Sequence, residues 1–384
     1  MKPPPTLLFF VTEDWFFVSH FLSVARAARE SGLTVAVHVR VQSAALQAKI
    51  EAEGIRVIPS IHRRGHFGPL ALLSHVARFW ALLRHEKPDI VHLVSVRMIV
   101  LAGLAARLAG TPSRVQAVTG LGLMAASQTL KARLARAALG WLLRGPLGGR
   151  DAAYVFENRE DPVLLGMNPN SDRVLIVGGA GIDPDREPEQ SLPGVPPIRL
   201  ALVARMIASK GVDVAVAAIG QVRRAGHDVR LTLVGAPDSH NPRSFTANQL
   251  ESWGREDGVT WVGHSTDVKA IWRDHHVVCV PSRGGEGLPR SLLEGAAAGR
   301  PVVTTATPGC ATFTRDGIEG FVVKPGDPTA LAQAITQFVR DPSLIPRMGA
   351  AARARVLEGF TSAQVTAAFV ELYGRMLGRR DTAR

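Results

Sequence analysis

Short apolar strands alternate with amphipathic helical stretches along nearly the whole chain, and the alternation restarts after one proline- and acid-rich segment, Asp183 to Pro197 (DPDREPEQSLPGVPP). Such alternation packs as a parallel sheet covered by helices on both faces. The first half is predicted to place strands at Leu7–Val11, Thr34–Val39, Arg56–Ile58, Ile90–Leu93, Val115–Val118, Ala153–Phe156 and Val174–Val177, with helices at Ser19–Glu30, Pro69–Arg84 and Ile99–Leu108. The second half repeats the scheme, with strands near Ile198, Leu231, Thr260, Val277, Pro301 and Gly320. A chain of 384 residues with 46% hydrophobic content has enough apolar material for two cores. The expected domains are therefore 1–185 and 195–358, hinged at the connector, with a last helix at about 360–384 returning to the first domain.

The richest local pattern is PSRGGEGLPRSLLEGAAAGRP, Pro281 to Pro301. Gly284, Gly285 and Gly287 let backbone N–H groups approach an anion, and the helix starting near Pro289 points its positive end at the same place. Glu286 would reach sugar hydroxyls from the loop. Glu294, about two turns into the helix, would accept ribose hydroxyls. Upstream, IRLALVARMIASKGVDVAVAAI reads as a buried strand running into Arg205 and Lys210 and then an apolar helix. That puts two cations at the C-terminal edge of a strand, where open α/β sheets bind ligands and where a diphosphate leaving group can be neutralised. Taken residue by residue, ordinary surface charges around a glycine-rich helix start remain the alternative.

The ordered set ARMIASKGVD, LTLVGAPD, VTWVGHSTDVKAIW, VVCVPSRGGEGLPRSLLEGAAAGRPVVTT and GFVV, closed by an amphipathic helix, resembles the retaining glycosyltransferases of GT-B fold, group 1 / family 4 type, over nearly all of the chain. The resemblance implies two Rossmann-like domains facing an interdomain cleft. It also implies a nucleotide-sugar donor, UDP-linked in most such enzymes, bound by Arg205, Lys210, Gly235, Gly284, Gly285, Glu286, Gly287, Leu288 and Glu294. By the same resemblance, Arg205, Lys210 and Glu286 are expected to carry the catalysis. The N-terminal pieces DWFFVSHFLSVARAARESGLTVAV, AVTGLG, YVFENREDPVLL and VGGAGID look like the subgroup that extends polyprenyl-diphosphate-linked saccharides in bacterial capsule, O-antigen or exopolysaccharide assembly. Enzymes of this type need no metal for the chemistry, and no cofactor beyond the nucleotide-sugar substrate is expected.

On the acceptor side, Asp14 and His20 lie in the stretch EDWFFVSH after the first strand, predicted as a loop at the sheet edge. The resembling subgroup has an arginine directly after this histidine, whereas this chain has Phe21. His20 is thus either an acceptor contact or a residue stabilising the start of the following helix. Gly120 and Gly122 either approach a phosphate or simply end a strand. Arg97 is a candidate for the acceptor phosphate. Some relatives carry an essential histidine two residues beyond the position of His92; here that place is Val94. The departing diphosphate itself can take the acceptor proton on the face it leaves, so retention requires no dedicated base.

Residues 1–150 contain 19 Lys+Arg against 7 Asp+Glu, whereas residues 151–384 contain 26 of each, so the whole formal charge of +12 sits in the first part. A patch of this kind attracts nucleic acid, anionic lipid headgroups or lipid diphosphates. No nucleic-acid module is recognisable, which leaves an anionic membrane surface and a lipid-linked acceptor as expected partners. Leu130 to Arg144 is read as an amphipathic helix with Leu130, Leu134, Ala138, Trp141 and Leu142 on one face and Arg133, Arg136 and Arg144 on the other; the apolar face either packs in the core or lies on an anionic membrane with Trp141 at the interface, and the basic face is left for lipid phosphates. The best membrane-span candidate, Ile90 to Gly110, is broken by Arg97 and Arg107. Met1 to Pro5 lead into a strand without a secretory pattern, and Cys279 and Cys310 have no metal-ligand spacing. The chain is therefore expected in the cytoplasm, peripheral to the inner face of the membrane, with reduced cysteines. The competing classes are a GT-B sugar-nucleotide epimerase, which needs an acid/base set that the first half does not show, and a non-enzymatic basic lipid- or nucleic-acid-binding protein. The latter leaves Arg205, Lys210, Glu286 and Glu294 without a purpose.

Overall fold

The computed structural model describes residues 3–60, 68–127 and 129–381. Its first sheet has seven strands: β1 (Thr6–Glu13), β2 (Thr34–Arg40), β3 (Arg56–Pro59), β4 (Ile90–Val94), β5 (Ser113–Val118), β6 (Ala152–Phe156) and β7 (Val174–Ile176). They run parallel in the order β3-β2-β1-β4-β5-β6-β7. Strands β4, β5 and β6 are buried at every position, as a sheet covered on both faces requires. Adjacent residues of β1 supply opposite cores. Phe9 joins Phe17, Val37 and Tyr373 on one face, and Phe10 joins Phe79, Leu93 and Phe156 on the other.

The second sheet has six strands: β8 (Ile198–Val203), β9 (Val229–Val234), β10 (Val259–Trp261), β11 (Val277–Val280), β12 (Val302–Thr305) and β13 (Gly320–Val323). They too are parallel, in the order β10-β9-β8-β11-β12-β13. In each sheet the chain moves outward from one central strand in one direction and then in the other. The reversal falls between β1 and β4 in the first sheet and between β8 and β11 in the second. At such a reversal the loops leaving two neighbouring strands diverge, opening a crevice at the carboxyl edge.

The chain divides into two compact units, residues 1–180 with 362–384 and residues 181–361. The connector 183–197 therefore belongs to the second unit rather than lying between the two. One reason is visible: Arg300, fully buried, donates to the carbonyls of Gln190 and Ser191, and Arg353 donates to that of Glu187. The final helix, Ser362–Asp381, packs Phe369 and Tyr373 into the first unit's core, where the Tyr373 hydroxyl meets His92 Nδ1 at 2.7 Å. Residues 382–384 of the expected last helix lie outside the described residues.

One element differs from expectation. Residues Asp14–His20 form a helix rather than a loop, and a break at Phe21 separates it from the helix Leu22–Glu30. Phe17 and Phe21 both turn into the core beside Phe9, which holds the extra turn in place.

Candidate active site

Strands β8 and β11 are neighbours across the reversal of the second sheet, so the loops leaving them border the same crevice at the carboxyl edge. After β8 the chain passes through Arg205 and a tight 3₁₀ turn, Ala208–Lys210, into the helix Val212–Arg224. Gly211 closes that turn at φ +69°, and a Cβ there would come within 2.0 Å of the Pro281 carbonyl oxygen. Only glycine allows the two loops so close. The result is that Lys210 Nζ lies 2.6 Å from Glu286 Oε2, across 76 residues of sequence.

The second Glu286 oxygen accepts from the fully buried Ser282 hydroxyl at 2.9 Å. Arg283 ties the two loops together: its guanidinium forks onto both Asp213 oxygens at 2.7 Å and donates to the Ala208 carbonyl at 2.9 Å. Gly284 and Gly285 take φ of +114° and +81°, conformations closed to other L-residues at little cost. The helix Arg290–Ala297 then begins at Pro289 with no side chain capping its first amides. Those amides and the helix dipole form an anion-attracting surface beside Lys210 and Glu286.

Glu294 projects from that helix and is held by Arg290 at 2.7 Å. Glu187 of the connector lies near this pair; burial raises its carboxyl above the ordinary value against the pull of Lys269, and Glu294 raises it further. Arg205 is paired with Asp238 at 2.6 Å. Gly235, at φ +149°, brings the end of β9 against β8, since a Cβ there would meet the Ala204 oxygen at 1.7 Å. Its own N–H donates to the Gly263 oxygen at 2.6 Å. The Leu288 side chain packs in the core.

Sequence reading singled out Arg205, Lys210, Gly235, the glycine loop, Glu286 and Glu294; the segments that carry them follow β8, β9 and β11 of the second sheet, and Lys210 pairs with Glu286. The reading missed the partners that hold them: Ser282, Arg283–Asp213, Asp238, Arg290 and Gly309. Gly309 is the most telling. A Cβ at this position would fall 1.4 Å from the Gly287 oxygen and 3.1 Å from that of Glu286. No motif marks it, because its role is a contact between β12's loop and β11's. Burial lifts the thiol of Cys279 to about 12 and that of Cys310 to about 11, so neither is an available nucleophile at neutral pH. Among the described residues no group of three or more His, Cys, Asp or Glu is placed to hold a metal ion.

In the first unit, the candidates separate. Asp14 is fully buried, and its carboxylate accepts the backbone N–H groups of Trp15 (2.8 Å), Gln42 (2.7 Å) and Ser43 (3.0 Å). It anchors the loop after β2, so the carboxylate expected as a candidate polar contact on the acceptor side is buried and engaged by backbone donors. His20 stacks on Phe16 at 4.2 Å, with Nδ1 2.7 Å from the Ser19 hydroxyl, a local arrangement at the end of its helix. Arg97 lies in the first turn of the helix Val96–Ala109, near His75, whose imidazole is held low by burial and by Arg97 and Arg78. Gly120 and Gly122 take φ of +114° and +57° after β5. Ser95, between β4 and that helix, sits at φ +81° with its hydroxyl buried and without a hydrogen-bond partner. Burial drops His92 to about 3, so it stays neutral.

Two parallel-sheet units, one ending in loops that combine a lysine–glutamate pair, a glycine-rich turn and an uncapped helix start, define an open α/β protein with an anion-attracting edge. Family models specify the class: "Glycosyl transferases group 1" matches residues 197–341 and "Glycosyl transferase 4-like" matches residues 6–146. The chain belongs to the group 1 / family 4 glycosyltransferases and has their GT-B fold. It is 31% identical over 197 residues to the putative colanic acid biosynthesis glycosyltransferase WcaL of Salmonella typhimurium, a match covering 48% of this chain and 47% of that protein. It is 32% identical over 188 residues to the phosphatidyl-myo-inositol mannosyltransferase of Mycobacterium leprae, covering 47% and 48%. The chain thus spans about half the length of these curated relatives. Among solved structures, Anabaena HepE in complex with UDP-glucose superposes with a TM-score of 0.73 at 16% identity, covering 96% of this chain and 99% of that one. Sucrose-phosphate synthase from Thermosynechococcus elongatus gives 0.75 at 17%, covering 98% and 100%.

Proposed function

We propose that this protein is a retaining, metal-independent glycosyltransferase that moves a hexose or N-acetylhexosamine from a UDP-sugar to a polyprenyl-diphosphate-linked saccharide in bacterial surface-polysaccharide assembly. The observation that carries the reading is the Lys210–Glu286 pair set against the glycine loop and the uncapped start of the helix Arg290–Ala297. Names among the relatives and fold neighbours support it: colanic acid and capsular polysaccharide glycosyltransferases, and a complex with UDP-glucose.

In this reading the diphosphate lies at the helix start and glycine loop, Glu286 accepts sugar hydroxyls, and Glu294 accepts ribose hydroxyls. Each acid is already oriented, by Ser282 and Lys210 in one case and Arg290 in the other, so little ordering remains to be done on binding. As the glycosidic bond to the diphosphate breaks, negative charge grows on the departing oxygen. Lys210 and Arg205 then exchange part of their interaction with Glu286 and Asp238 for the phosphates and stabilise that charge, the role a metal plays elsewhere. The departing phosphate oxygen takes the proton of the acceptor hydroxyl attacking on the same face. That accounts for retention with no side-chain base. The basic first unit supplies the acceptor side, where a lipid diphosphate is the matching anion.

The test is to incubate the purified chain with a panel of UDP- and GDP-sugars and a polyprenyl-diphosphate disaccharide, following product mass and anomeric configuration. Lys210→Ala and Glu286→Ala should each lower turnover by about 100-fold, near 3 kcal/mol for one lost stabilising group. No transfer with any nucleotide sugar, together with no calorimetric UDP binding, would refute the reading.

A further inference from the structure

The helix Leu130–Arg144 packs in the core by its smaller apolar stripe. Its buried side is Arg136, Leu139, Gly140 and Leu143, with Gly140 pressed so close to the Leu165 carbonyl that a Cβ would come within 2.4 Å of its oxygen. Arg136 turns inward and donates to the carbonyls of Met124 and Ser127, and Arg144 Nε donates to that of Gly140 at 3.0 Å. The larger stripe faces outward instead: Leu130, Leu134 and Trp141 are 68%, 60% and 61% exposed. At about 100° per residue, this stripe is centred roughly 150° round the helix from the buried one.

The helix Pro69–Glu86 repeats the arrangement. Phe79 and Leu83 are buried in the same core that receives Leu139 and Leu143, so both helices cover one face of the first sheet. The side away from that core exposes Leu70 (82%), Leu73 (66%) and Trp80 (43%). Exposed leucines spaced singly are ordinary; six large apolar groups on the outer sides of two helices of one layer are not.

The charge around them is predominantly positive. Residues 90–150 contain eight Lys or Arg and no Asp or Glu. Lys131, Arg133 and Arg144 flank the Leu130–Trp141 stripe and are exposed, as are Arg78 and Arg84 on the other helix. Apolar side chains with two tryptophans, framed mainly by cations, with the one acid of the two helices, Glu86, paired to Arg56, are complementary to the headgroup and upper acyl region of an anionic bilayer. No helix among the described residues is long and apolar enough to cross a membrane. We propose that the outer sides of the helices Pro69–Glu86 and Leu130–Arg144 form a bilayer-docking surface that inserts Leu70, Leu73, Trp80, Leu130, Leu134 and Trp141 among the headgroups of an anionic membrane. The inference deepens the lipid-linked-acceptor reading and rests on it for the membrane's relevance. It places binding on inserted apolar groups, with the cations adding attraction.

The experiment uses the full chain with vesicles of phosphatidylcholine alone or with 30–40% phosphatidylglycerol, read by flotation and by quenching of tryptophan fluorescence with brominated lipid. Binding to the anionic vesicles with quenching is expected. Leu134→Ser/Trp141→Ser should weaken it at least about tenfold, the equivalent of about 1.4 kcal/mol, while Ile318→Ser, an exposed apolar change in the other unit, leaves it intact. Circular dichroism establishes that each variant folds. Raising salt should weaken binding without abolishing it. Binding that vanishes with salt, shows no quenching and ignores the double substitution would overturn the proposal in favour of simple electrostatic adsorption. A self-association seen by sedimentation and lost in the double variant, with no vesicle binding, would overturn it in favour of a second copy of this chain. Calorimetric UDP binding and transfer to a short, water-soluble prenyl-diphosphate saccharide report on the transferase reading separately.

Discussion

Gly309 offers a test of whether the loop that carries Glu286 is placed by packing. In Gly309→Ala the new methyl would fall 1.4 Å from the Gly287 oxygen, whereas real Cβ contacts essentially never come below 3.0 Å. The two backbones must therefore separate by at least ~1.6 Å. The helix Pro308–Phe313 buries Cys310 and Phe313, and the loop buries Leu288 in the same core, so the half-buried stretch at Gly285 and Glu286 takes up the displacement. Glu286 moves with it, away from Lys210 and Ser282. A displacement on the order of 1 Å at the reacting centre costs about 100-fold, or roughly 2.7 kcal/mol of transition-state stabilisation. The overpacking itself should cost about 1–3 kcal/mol of stability, leaving the protein folded at room temperature. The assay is steady-state transfer with a saturating nucleotide sugar, with thermal unfolding measured in parallel. kcat should fall while UDP affinity changes by a few-fold at most, because the helix start and Glu294 stay in place. Turnover within about threefold of the parent in a folded variant would refute the argument that this contact sets Glu286.

Other outcomes follow from single residues. Asp14→Ala leaves three backbone N–H groups without their acceptor, at about 1–3 kcal/mol each. It should lower the first unit's melting temperature strongly while UDP binding, measured by calorimetry, is unchanged. Arg283→Ala should raise KM for the donor and lower kcat together, with partial recovery in Arg283→Lys, since the fork onto Asp213 aligns the two loops. His92 and His38 are neutral in the folded state, lowered by burial to about 3 and about 4, so below about pH 6.5 the unfolded chain binds the extra protons and stability falls with acidification. Asp161, raised by burial to about 6, works the other way between about pH 4 and 6. In His92→Asn the acid-side slope seen in unfolding titrations should therefore flatten by about 1.4 kcal/mol per pH unit relative to the parent.

Much of the candidate site was legible because its pieces are local. Strand, glycine loop and helix start are contiguous in Pro281–Pro301, and so are strand, cation turn and helix in Ile198–Ile219. The parallel-sheet rule then says at which edge each cluster emerges. The approach of Lys210 to within 2.6 Å of Glu286 was not legible, since it depends on β8 lying beside β11 and on Gly211 tolerating a carbonyl at close range. Nor was the part played by Gly309, whose value lies in a neighbour 22 residues earlier in the chain.

Hydrophobic period distinguishes helix from strand by itself, since side-chain spacing along each element is a local property. It does not say which of two apolar stripes turns inward. The helix Leu130–Arg144 has Leu139 and Leu143 on one side and Leu130, Leu134 and Trp141 on the other, and the local pattern favoured the larger set. The tertiary structure chose the smaller one, because Gly140 allows close approach to Leu165 on that side alone and because Arg136 finds two carbonyls there. In the same way Asp14 reads as an exposed acid by type, and burial with three backbone donors makes it an anchor. The alternation of elements, the glycine loop and the charge asymmetry were determined by the sequence, because each depends on neighbours along the chain. Which side chains meet, and which face is left to a partner, was decided by contacts between segments that only the folded sheets bring together.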